Sequence, residues 1–237
     1  MKQTYSYLLF LSFTVICSVN GRNFHAERLH ILKKDGFNPR IIYDIGAHKG
    51  SWTAEAKPFF GDAQFYLFEA NDYYDAYLRR LGYPYFIALL GDCQKMMPFY
   101  SINGSGDSVL LEQTHHYQEG HYEQKLLPMT TLDNIVKQYD LPLPDFIKMD
   151  VQGAEKLIIL GGSQTITHAE AILLEVATIE YNKNAPLVFE IMCLMDQFGY
   201  CMLDILELHY LPTQELIEID ILFVKKDSSL IKRGILC

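Results

Sequence analysis

Short apolar runs that end at a polar residue or a glycine recur along this chain, separated by segments of helical periodicity. The first run covers residues 41–45, lies between Pro39 and Gly46, and predicts a buried strand. Further runs of this kind predict strands at residues 64–68, 85–89, 145–150 and 171–176. Because strands and helical segments alternate, the pattern predicts an α/β fold, with a mostly parallel sheet and helices on both faces.

Capping residues and glycines set the expected ends of the helices. Ser51, Asn71 and Thr131 are placed to cap helices, and Gly82 and Gly199 are placed to end them. The predicted helices cover residues 51–59, 71–81, 131–139, 153–160 and 187–198, and a polar segment at 26–34 also has helical spacing.

The two final apolar runs, residues 202–205 and 218–224, are joined by a segment without a helical pattern. Strands connected so directly are expected to pair antiparallel. The sequence therefore predicts one domain at 25–237, built on a seven-stranded, mostly parallel sheet with an antiparallel C-terminal edge hairpin. Residues 96–128 are less regular, with a predicted strand at 98–102.

Residues 5–19 form a hydrophobic segment that follows Lys2 and is short for a membrane span. We expect residues 1–24 to be a leader: a cleaved signal peptide, an uncleaved anchor with a cytosolic domain, or an extension irrelevant to the fold. Basic residues after the segment favour keeping that side cytoplasmic; they are Arg22, Arg28, Lys33 and Lys34. The expected location is cytoplasmic, with membrane contact only through residues 5–19, and secretion is the alternative.

The chain has 237 residues, a formal net charge of −9 and an isoelectric point near 5.3. This charge argues against nucleic acid as a partner, because nucleic-acid-binding proteins concentrate lysine and arginine. The substrate is expected to be neutral or a small organic molecule. The five cysteines form no C-x-x-C pair, and we expect buried thiols in a reducing compartment.

The segment from Asp44 to Gly50 carries the clearest chemical signal in the chain. Gly46 and Gly50 allow a sharp turn where a parallel strand meets a helix, so that a polar ligand can approach the main chain. The second strand ends in Glu69, 23 residues after Gly46, at the separation where a carboxylate meets a ribose diol. A dinucleotide site would have glycine at position 48, where this chain has His48. A nucleoside without a pyrophosphate fits better, and S-adenosylmethionine (SAM) is the common one.

Three motifs together resemble the FkbM family of class I methyltransferases. They are Asp-Ile-Gly-Ala-His-Lys-Gly at 44–50, Phe-Glu-Ala-Asn at 68–71, and Ile-Lys-Met-Asp-Val-Gln-Gly-Ala-Glu at 147–155, followed by Gly161 and Gly162. The third motif is the most specific, and the likeness covers about residues 30–226. The resemblance implies a Rossmann-like fold, SAM as the methyl donor, and usually a hydroxyl acceptor on a natural product, sugar or lipid.

A SAM site of this kind is expected to use several strand ends. The methionine part is expected to lie against the first turn, which supplies Asp44, Gly46, Ala47, His48 and Gly50, with backbone amides facing its carboxylate. Glu69 is expected to accept hydrogen bonds from both ribose hydroxyls. Asp92 follows the third strand, where it meets the adenine amino group or is an ordinary turn aspartate. Asp150 is expected beside the cofactor.

Methyl transfer to a hydroxyl is an in-line displacement in which alignment supplies most of the rate and a base removes the proton. Asp150 is the first candidate for that base, because it ends a strand at the expected crevice. Glu155 is a second candidate, or else an acid that offsets the helix dipole. His209 and Glu175 are weaker candidates, since each lies in or near an apolar strand.

No metal site is predicted. Asp150 and Glu175 would present two carboxylates from neighbouring strand ends, but the third ligand that Mg²⁺ would need is not identified. His115, His116 and His121 lack a spacing that places three imidazoles on one face. Their segment is expected to cover the acceptor pocket instead.

Two other functions fit the nucleoside pocket. A nicotinamide-dependent oxidoreductase predicts a third glycine in the turn and a Tyr-x-x-x-Lys pair, and this sequence has neither. A binding module that has lost methyl transfer would keep the same pocket, and the motifs do not separate it from an active enzyme.

Overall fold

The computed structural model describes residues 15–16, 24–102, 104, 106–113, 120–211 and 213–231. The helices are α1 (Phe24–Lys34), α2 (Ser51–Ala56), α3 (Asp75–Leu81), α4 (Leu132–Gln138), α5 (Glu155–Gly161), α6 (Ser163–His168) and α7 (Val188–Gln197). The strands are β1 (Val15–Ile16), β2 (Ile41–Ile45), β3 (Gln64–Glu69), β4 (Tyr85–Ile87), β5 (Leu89–Leu90), β6 (Lys95–Ser101), β7 (Glu123–Thr130), β8 (Phe146–Met149), β9 (Ala171–Ala177), β10 (Tyr200–Tyr210) and β11 (Leu216–Lys225). A 3₁₀ turn, Asp72–Tyr74, precedes α3.

The main sheet has the strand order β1-β10-β11-β9-β8-β2-β3-β4. Strands β9, β8, β2, β3 and β4 pair in parallel, which confirms the mostly parallel sheet. The final hairpin of β10 and β11 is antiparallel as predicted, but β11 is inserted beside β9 and pairs antiparallel with it. Strand β10 at the edge therefore runs in the same direction as the parallel strands, and β1 extends that edge.

A smaller sheet has the order β5-β7-β6. The single strand predicted at 85–89 is divided between the two sheets, because β4 pairs with β3 whereas β5 pairs with β7. Strand β7 was not predicted. Most of its positions are exposed or half-buried and it contains Pro128, so no apolar run marks it in the sequence.

Alternate residues of the central strands pack into two apolar cores on opposite faces of the main sheet. On β2, Tyr43 and Ile45 belong to one core and Ile42 to the other. Helices α4 to α7 cover the first core, and α1 to α3 cover the second. This arrangement confirms helices on both faces. Asp44 shares its face with the second core, because side chains alternate along a strand.

The helix ends follow the predicted caps in part. Asn71 and Thr131 each accept a hydrogen bond from a backbone amide of the first turn that follows, which confirms both caps. Ser51 was the wrong cap, since Gly50 occupies that position with a φ of 79° and Ser51 is the first helical residue. Gly162 separates α5 from α6, a short helix that the sequence did not predict.

The cysteines differ from the sequence-based expectation. Cys93 and Cys193 are free and exposed, so the prediction of buried thiols is wrong for both. Cys201 is half-buried and disulfide-bonded, so it is not a reduced thiol either. Cys17 and Cys237 lie outside the described residues. The cysteines therefore no longer support the prediction of a reducing compartment.

The predicted leader at 1–24 lies largely outside the described residues. Within it, Val15–Ile16 pairs antiparallel with β10, and α1 begins at Phe24. In the part of the chain that the structure describes, no helix is both long and apolar enough to cross a membrane. The signal-peptide and anchor readings of the leader both stay predictions. Residues 114–119, which include two of the histidines in the predicted pocket cover, also lie outside the described residues. The pocket cover therefore stays a prediction.

Candidate active site

A cleft opens at the carboxyl ends of β2, β3 and β8, where ligands of open α/β sheets bind. Gly46, Glu69 and Asp150 line it at these three strand ends. Its apolar wall includes Leu89, Leu90, Phe99 and Val109, and its polar lining includes His48, Asp107, Ser108 and Gln152. Apolar walls with a few convergent polar groups are typical of small-molecule sites.

Position 46 requires glycine, because the end of β8 lies too close to leave room for a side chain. Gly46 has a φ of 76°, and a Cβ at this position would lie 1.8 Å from the carbonyl oxygen of Asp150. Gly50 also has a positive φ, and a Cβ there would lie 2.2 Å from Leu81 Cδ1. The glycine spacing that predicted a ligand-binding turn is therefore explained largely by close packing between neighbouring elements.

The amides of this turn are already paired within the protein. Gly46 and Ala47 donate hydrogen bonds to the carbonyl oxygen of Phe68 at 2.9 and 3.0 Å, and Gly50 donates to the carbonyl oxygen of Ala47 at 2.6 Å. These contacts do not support the expectation that the amides of Gly46, Ala47 and Gly50 face a methionine carboxylate. Of these three donors, Gly46 lines the cleft, whereas Ala47 and Gly50 do not.

Glu69 is held in place by main-chain donors. Its Oε2 accepts a hydrogen bond from His48 N at 2.7 Å, and its Oε1 accepts one from Asn71 N at 2.8 Å. The residue is 7% exposed, and burial raises the pKa of its carboxyl despite these two amides. Each oxygen keeps a lone pair, so the carboxylate can accept two further hydrogen bonds.

His48 presents an unsatisfied nitrogen beside the cleft. Its φ is 51°, which is unusual for a residue with a side chain, and its ring lies 4.2 Å from the ring of Tyr74 between centroids. Its Nε2 is buried and has no hydrogen-bond partner among the described residues. Burial, and then Lys49, lower its pKa, so the imidazole is neutral near neutral pH. A bound ligand would satisfy such a nitrogen.

Lys148 lies between two carboxylates next to the cleft. Its Nζ is 3.2 Å from Asp150 Oδ2 and 3.7 Å from Asp44 Oδ1. Burial disfavours the ammonium, but Asp150 and Asp44 outweigh burial and raise the pKa of Lys148. Burial also opposes ionisation of Asp150, and Lys148 leads the contacts that nevertheless lower the pKa of Asp150. Asp150 is therefore an ionised carboxylate whose side chain is 36% exposed.

Asp44 lies behind the cleft and does not line it. Its carboxylate is completely buried, and its Oδ2 accepts a hydrogen bond of 2.6 Å from Thr53 Oγ1 of α2. Burial raises its pKa, although Lys148 opposes that rise. The geometry does not support the predicted contact of Asp44 with the methionine part. Asp44 instead anchors α2 and Lys148 beneath the site.

Gln152 connects the cleft to the next strand. Its Nε2 donates to Asp150 Oδ1 at 3.2 Å and to Glu175 Oε2 at 2.6 Å. Its backbone carbonyl oxygen accepts hydrogen bonds from Ser108 Oγ and Asn182 Nδ2, each at 2.8 Å. The φ of Gln152 is 54°, which lies in the left-handed region. Residues other than glycine that are held in this region cluster at functional sites. No local signal in the sequence marks Gln152 as a site residue, because its contacts are with residues distant in the chain.

Glu155 does not line the cleft. It begins α5, and its Oε1 accepts hydrogen bonds from Val151 N and Gly153 N at 3.2 Å each. Burial raises its pKa to about 7. These contacts match the structural alternative, in which an acid closes the preceding turn and offsets the helix dipole.

Asp92 and His209 also lie outside the cleft lining. Asp92 is exposed, and its Oδ1 accepts a hydrogen bond from Lys95 Nζ at 3.1 Å that lowers its pKa, so the predicted adenine contact is not supported. His209 Nε2 lies 3.4 Å from Asp220 Oδ1 and 3.6 Å from Glu175 Oε1. Burial lowers the pKa of His209, but Asp220 outweighs it and raises the pKa to about 9.

Several cleft residues were missed by the sequence analysis. Tyr74, Asp107 and Ser108 line the cleft, and Asp107 accepts hydrogen bonds from Asn71 Nδ2 at 2.6 Å and Ile102 N at 2.9 Å. Two of these residues belong to the irregular region, where long-range hydrogen bonds fix the chain. In the sequence, only the polar composition of this loop could have indicated that these residues line a site.

Comparison with known proteins matches this chain to methyltransferases. A family model, the methyltransferase FkbM domain, matches residues 44–202. The 2-O-methyltransferase NoeI of Sinorhizobium fredii is 29% identical over 180 residues, which cover 69% of this chain and 73% of that protein. The matched segment of the family model contains Gly46, Glu69 and Asp150, the strand ends that line the cleft.

Two solved structures are similar over most of the chain at low sequence identity. Precorrin-6y C5,15-methyltransferase from Geobacter metallireducens is 14% identical, with a TM-score of 0.44 and coverage of 84% of this chain and 86% of that chain. Magnesium protoporphyrin IX methyltransferase from Synechocystis, solved with bound SAM, is 10% identical, with a TM-score of 0.44 and coverage of 85% and 80%.

Proposed function

Because this chain belongs to the FkbM family of SAM-dependent methyltransferases, we propose that it transfers the methyl group to a hydroxyl oxygen of a small molecule, sugar or lipid. The likeness to NoeI, whose name states 2-O-methylation, supports oxygen as the acceptor atom. The observation that carries the proposal is the cleft at three strand ends, in which Glu69 presents two acceptor oxygens. The family assignment replaces the nicotinamide-dependent alternative.

In this proposal the cleft residues would hold the cofactor between the apolar wall and the end of β2. Glu69 would accept hydrogen bonds from the two ribose hydroxyls, and Leu89 and Leu90 would contact the adenine. His48 and Asp150 would face the methionine end. The ionised carboxylate of Asp150 complements the cofactor's ammonium group, and the unpartnered His48 Nε2 gains a partner.

Methyl transfer from a sulfonium depends mainly on alignment of the acceptor oxygen, the methyl carbon and the sulfur. Asp150 also accepts a hydrogen bond from the acceptor hydroxyl in this proposal, but its lowered pKa makes it an orienting group more than a strong base. His48 is neutral near neutral pH and lines the cleft, so it is the second candidate to take the proton. Glu155 and His209 are assigned no contact with the acceptor.

The proposal is tested by incubating the full chain with SAM and a panel of sugars and lipids, with S-adenosylhomocysteine release measured by mass spectrometry. Release is expected to require a free hydroxyl on the acceptor, with the added methyl group found on oxygen. Transfer only to amines or thiols would contradict oxygen methylation. The same assay separates an active enzyme from a binding module, because a binding module retains SAM without releasing product.

The two roles of Asp150 are separable by Asp150→Asn. Loss of turnover with unchanged SAM affinity would assign Asp150 to the acceptor. Equal loss of both would assign it to cofactor binding. Titration calorimetry with SAM and the release assay provide the two measurements.

A further inference from the structure

A second group of polar side chains lies at β9, β11 and β10, beyond the cleft. Asp220 of β11 lies opposite Glu175 of β9 and Glu207 of β10 in the sheet register. Two histidines approach the two oxygens of Asp220: His209 Nε2 is 3.4 Å from Oδ1, and His25 Nε2 of α1 is 2.6 Å from Oδ2. The proposed methyl transfer uses none of these residues.

Glu175, His209 and Asp220 have the spacing of metal ligands. His209 Nε2 is 3.6 Å from Glu175 Oε1 and 3.4 Å from Asp220 Oδ1, and one ligand atom from each residue lies within 4.8 Å of the others. Nitrogen and oxygen ligands bound tetrahedrally to zinc lie about 3.3 Å from one another, which is longer than an optimal hydrogen bond. The Nε2 atom of His209 is buried, and both carboxylates lie at ion-pair distance from it.

The outer oxygens of both carboxylates are held by other side chains. His25 Nε2 lies 2.6 Å from Asp220 Oδ2, and Gln152 Nε2 donates to Glu175 Oε2 at 2.6 Å. Each carboxylate therefore keeps its other oxygen on the side of His209. Partners of this kind orient the ligands of protein metal sites.

We propose that Glu175, His209 and Asp220 form a binding site for a divalent transition-metal ion of the zinc or manganese type. One imidazole and two carboxylates suit ions that accept nitrogen as well as oxygen, and suit magnesium less. From the sequence, Glu175 pairs with Asp150 and no third ligand is identified, whereas the fold brings His209 and Asp220 to Glu175. The site adjoins the cleft through Gln152 but does not depend on which acceptor is methylated.

The test uses the full chain after treatment with a chelator, titrated with Zn²⁺ by calorimetry and followed by elemental analysis of the dialysed protein. One ion is expected per chain. His209→Gln is expected to weaken zinc binding by about tenfold or more. The matched control is His168→Gln on α6, an exposed histidine, which is expected to bind zinc as the unchanged chain does.

Circular dichroism checks that each variant is folded, and Glu175→Gln replaces His209→Gln as the ligand variant if the latter fails to fold. Weaker binding in a folded ligand variant, with the control unchanged, supports the site. Absence of stoichiometric zinc in the unchanged chain would overturn it. Equal zinc affinity in the unchanged chain and a folded ligand variant would overturn it as well.

Discussion

The two halves of the carboxyl edge of the main sheet hold their polar groups in different ways. At β2 and β3, Glu69 accepts hydrogen bonds from two main-chain amides, one 21 positions before it in the sequence and one 2 positions after it. An open cleft lies beside this carboxylate. At β9, β11 and β10, ionisable side chains contact one another, and His25 and Asp220 are 195 residues apart. The contacts of Glu69 in the first half therefore join residues that are close in sequence. The contacts in the second half join residues that only the fold brings together.

Lys148 lies between the two halves, and its removal is expected to have the largest effect on stability. Lys148→Met leaves the fully buried Asp44 without its cation, and breaking a buried pair in this way costs about 3–5 kcal/mol. The free energy of unfolding is measured by urea denaturation. If the ion pair of Lys148 with Asp44 did not stabilise the fold, the loss of unfolding free energy would be small.

The matched control is Lys156→Met. Lys156 Nζ lies 3.7 Å from Glu190 Oε1, and both side chains are about half exposed, so the variant is expected to lose less than about 1 kcal/mol. A loss for Lys148→Met no greater than that of the control would show that the buried lysine does not stabilise the fold.

Gly46→Ala tests the close approach of β2 to the end of β8. Gly46 and Gly82 have similar φ values of 76° and 74°, but nothing lies within 4 Å of a Cβ at Gly82. Gly82→Ala therefore reports backbone strain alone, about 1 kcal/mol. Gly46→Ala adds the clash with the Asp150 carbonyl and is expected to cost about 1–3 kcal/mol more than the control in urea denaturation. Equal losses would contradict the steric explanation of Gly46.

Glu69→Gln tests the cleft half directly. The substitution removes the charge from the proposed hydrogen bonds to ribose. Each such bond to a charged group contributes about 1.5–3 kcal/mol, so SAM affinity is expected to fall about tenfold or more. Calorimetry with SAM measures the change. Glu190→Gln, on an exposed helix face, is the control and is expected to bind SAM unchanged. Unchanged affinity in Glu69→Gln would place the ribose elsewhere.

Glu155→Gln is expected to have an effect that depends on pH. The folded pKa of Glu155 is about 7, above its ordinary value of 4.5, so the native state keeps a proton that the unfolded chain loses between these values. The contribution of Glu155 to stability therefore falls as pH rises through this window. Glutamine keeps the acceptor oxygen and does not ionise, so the variant is expected to melt several degrees higher than the unchanged chain at pH 8.

Thermal melting of both proteins across this pH range is the measurement. Below pH 4.5 the difference between them is expected to vanish, because Glu155 is protonated in both the folded and the unfolded chain. Parallel melting curves at all pH values would show that burial does not raise the pKa of Glu155.

The sequence predicted what periodicity and short motifs determine. Apolar runs located the strands of the main sheet, and the spacing from Gly46 located Glu69 at the cleft. Periodicity could not locate β7, because that strand is largely exposed. It also could not show that the turn amides are used within the protein, or that Asp44 faces Lys148 and not the cleft. Contacts such as those of His209 with Glu175 depend on strand order, which spacing does not encode.

The position of the cofactor is tested most directly by a crystal structure of the full chain with S-adenosylhomocysteine. The proposed function predicts both ribose hydroxyls within hydrogen-bond distance of Glu69, the adenine against Leu89 and Leu90, and the amino-acid end near Asp150. A ligand bound outside the cleft, or a ribose that does not contact Glu69, would contradict it.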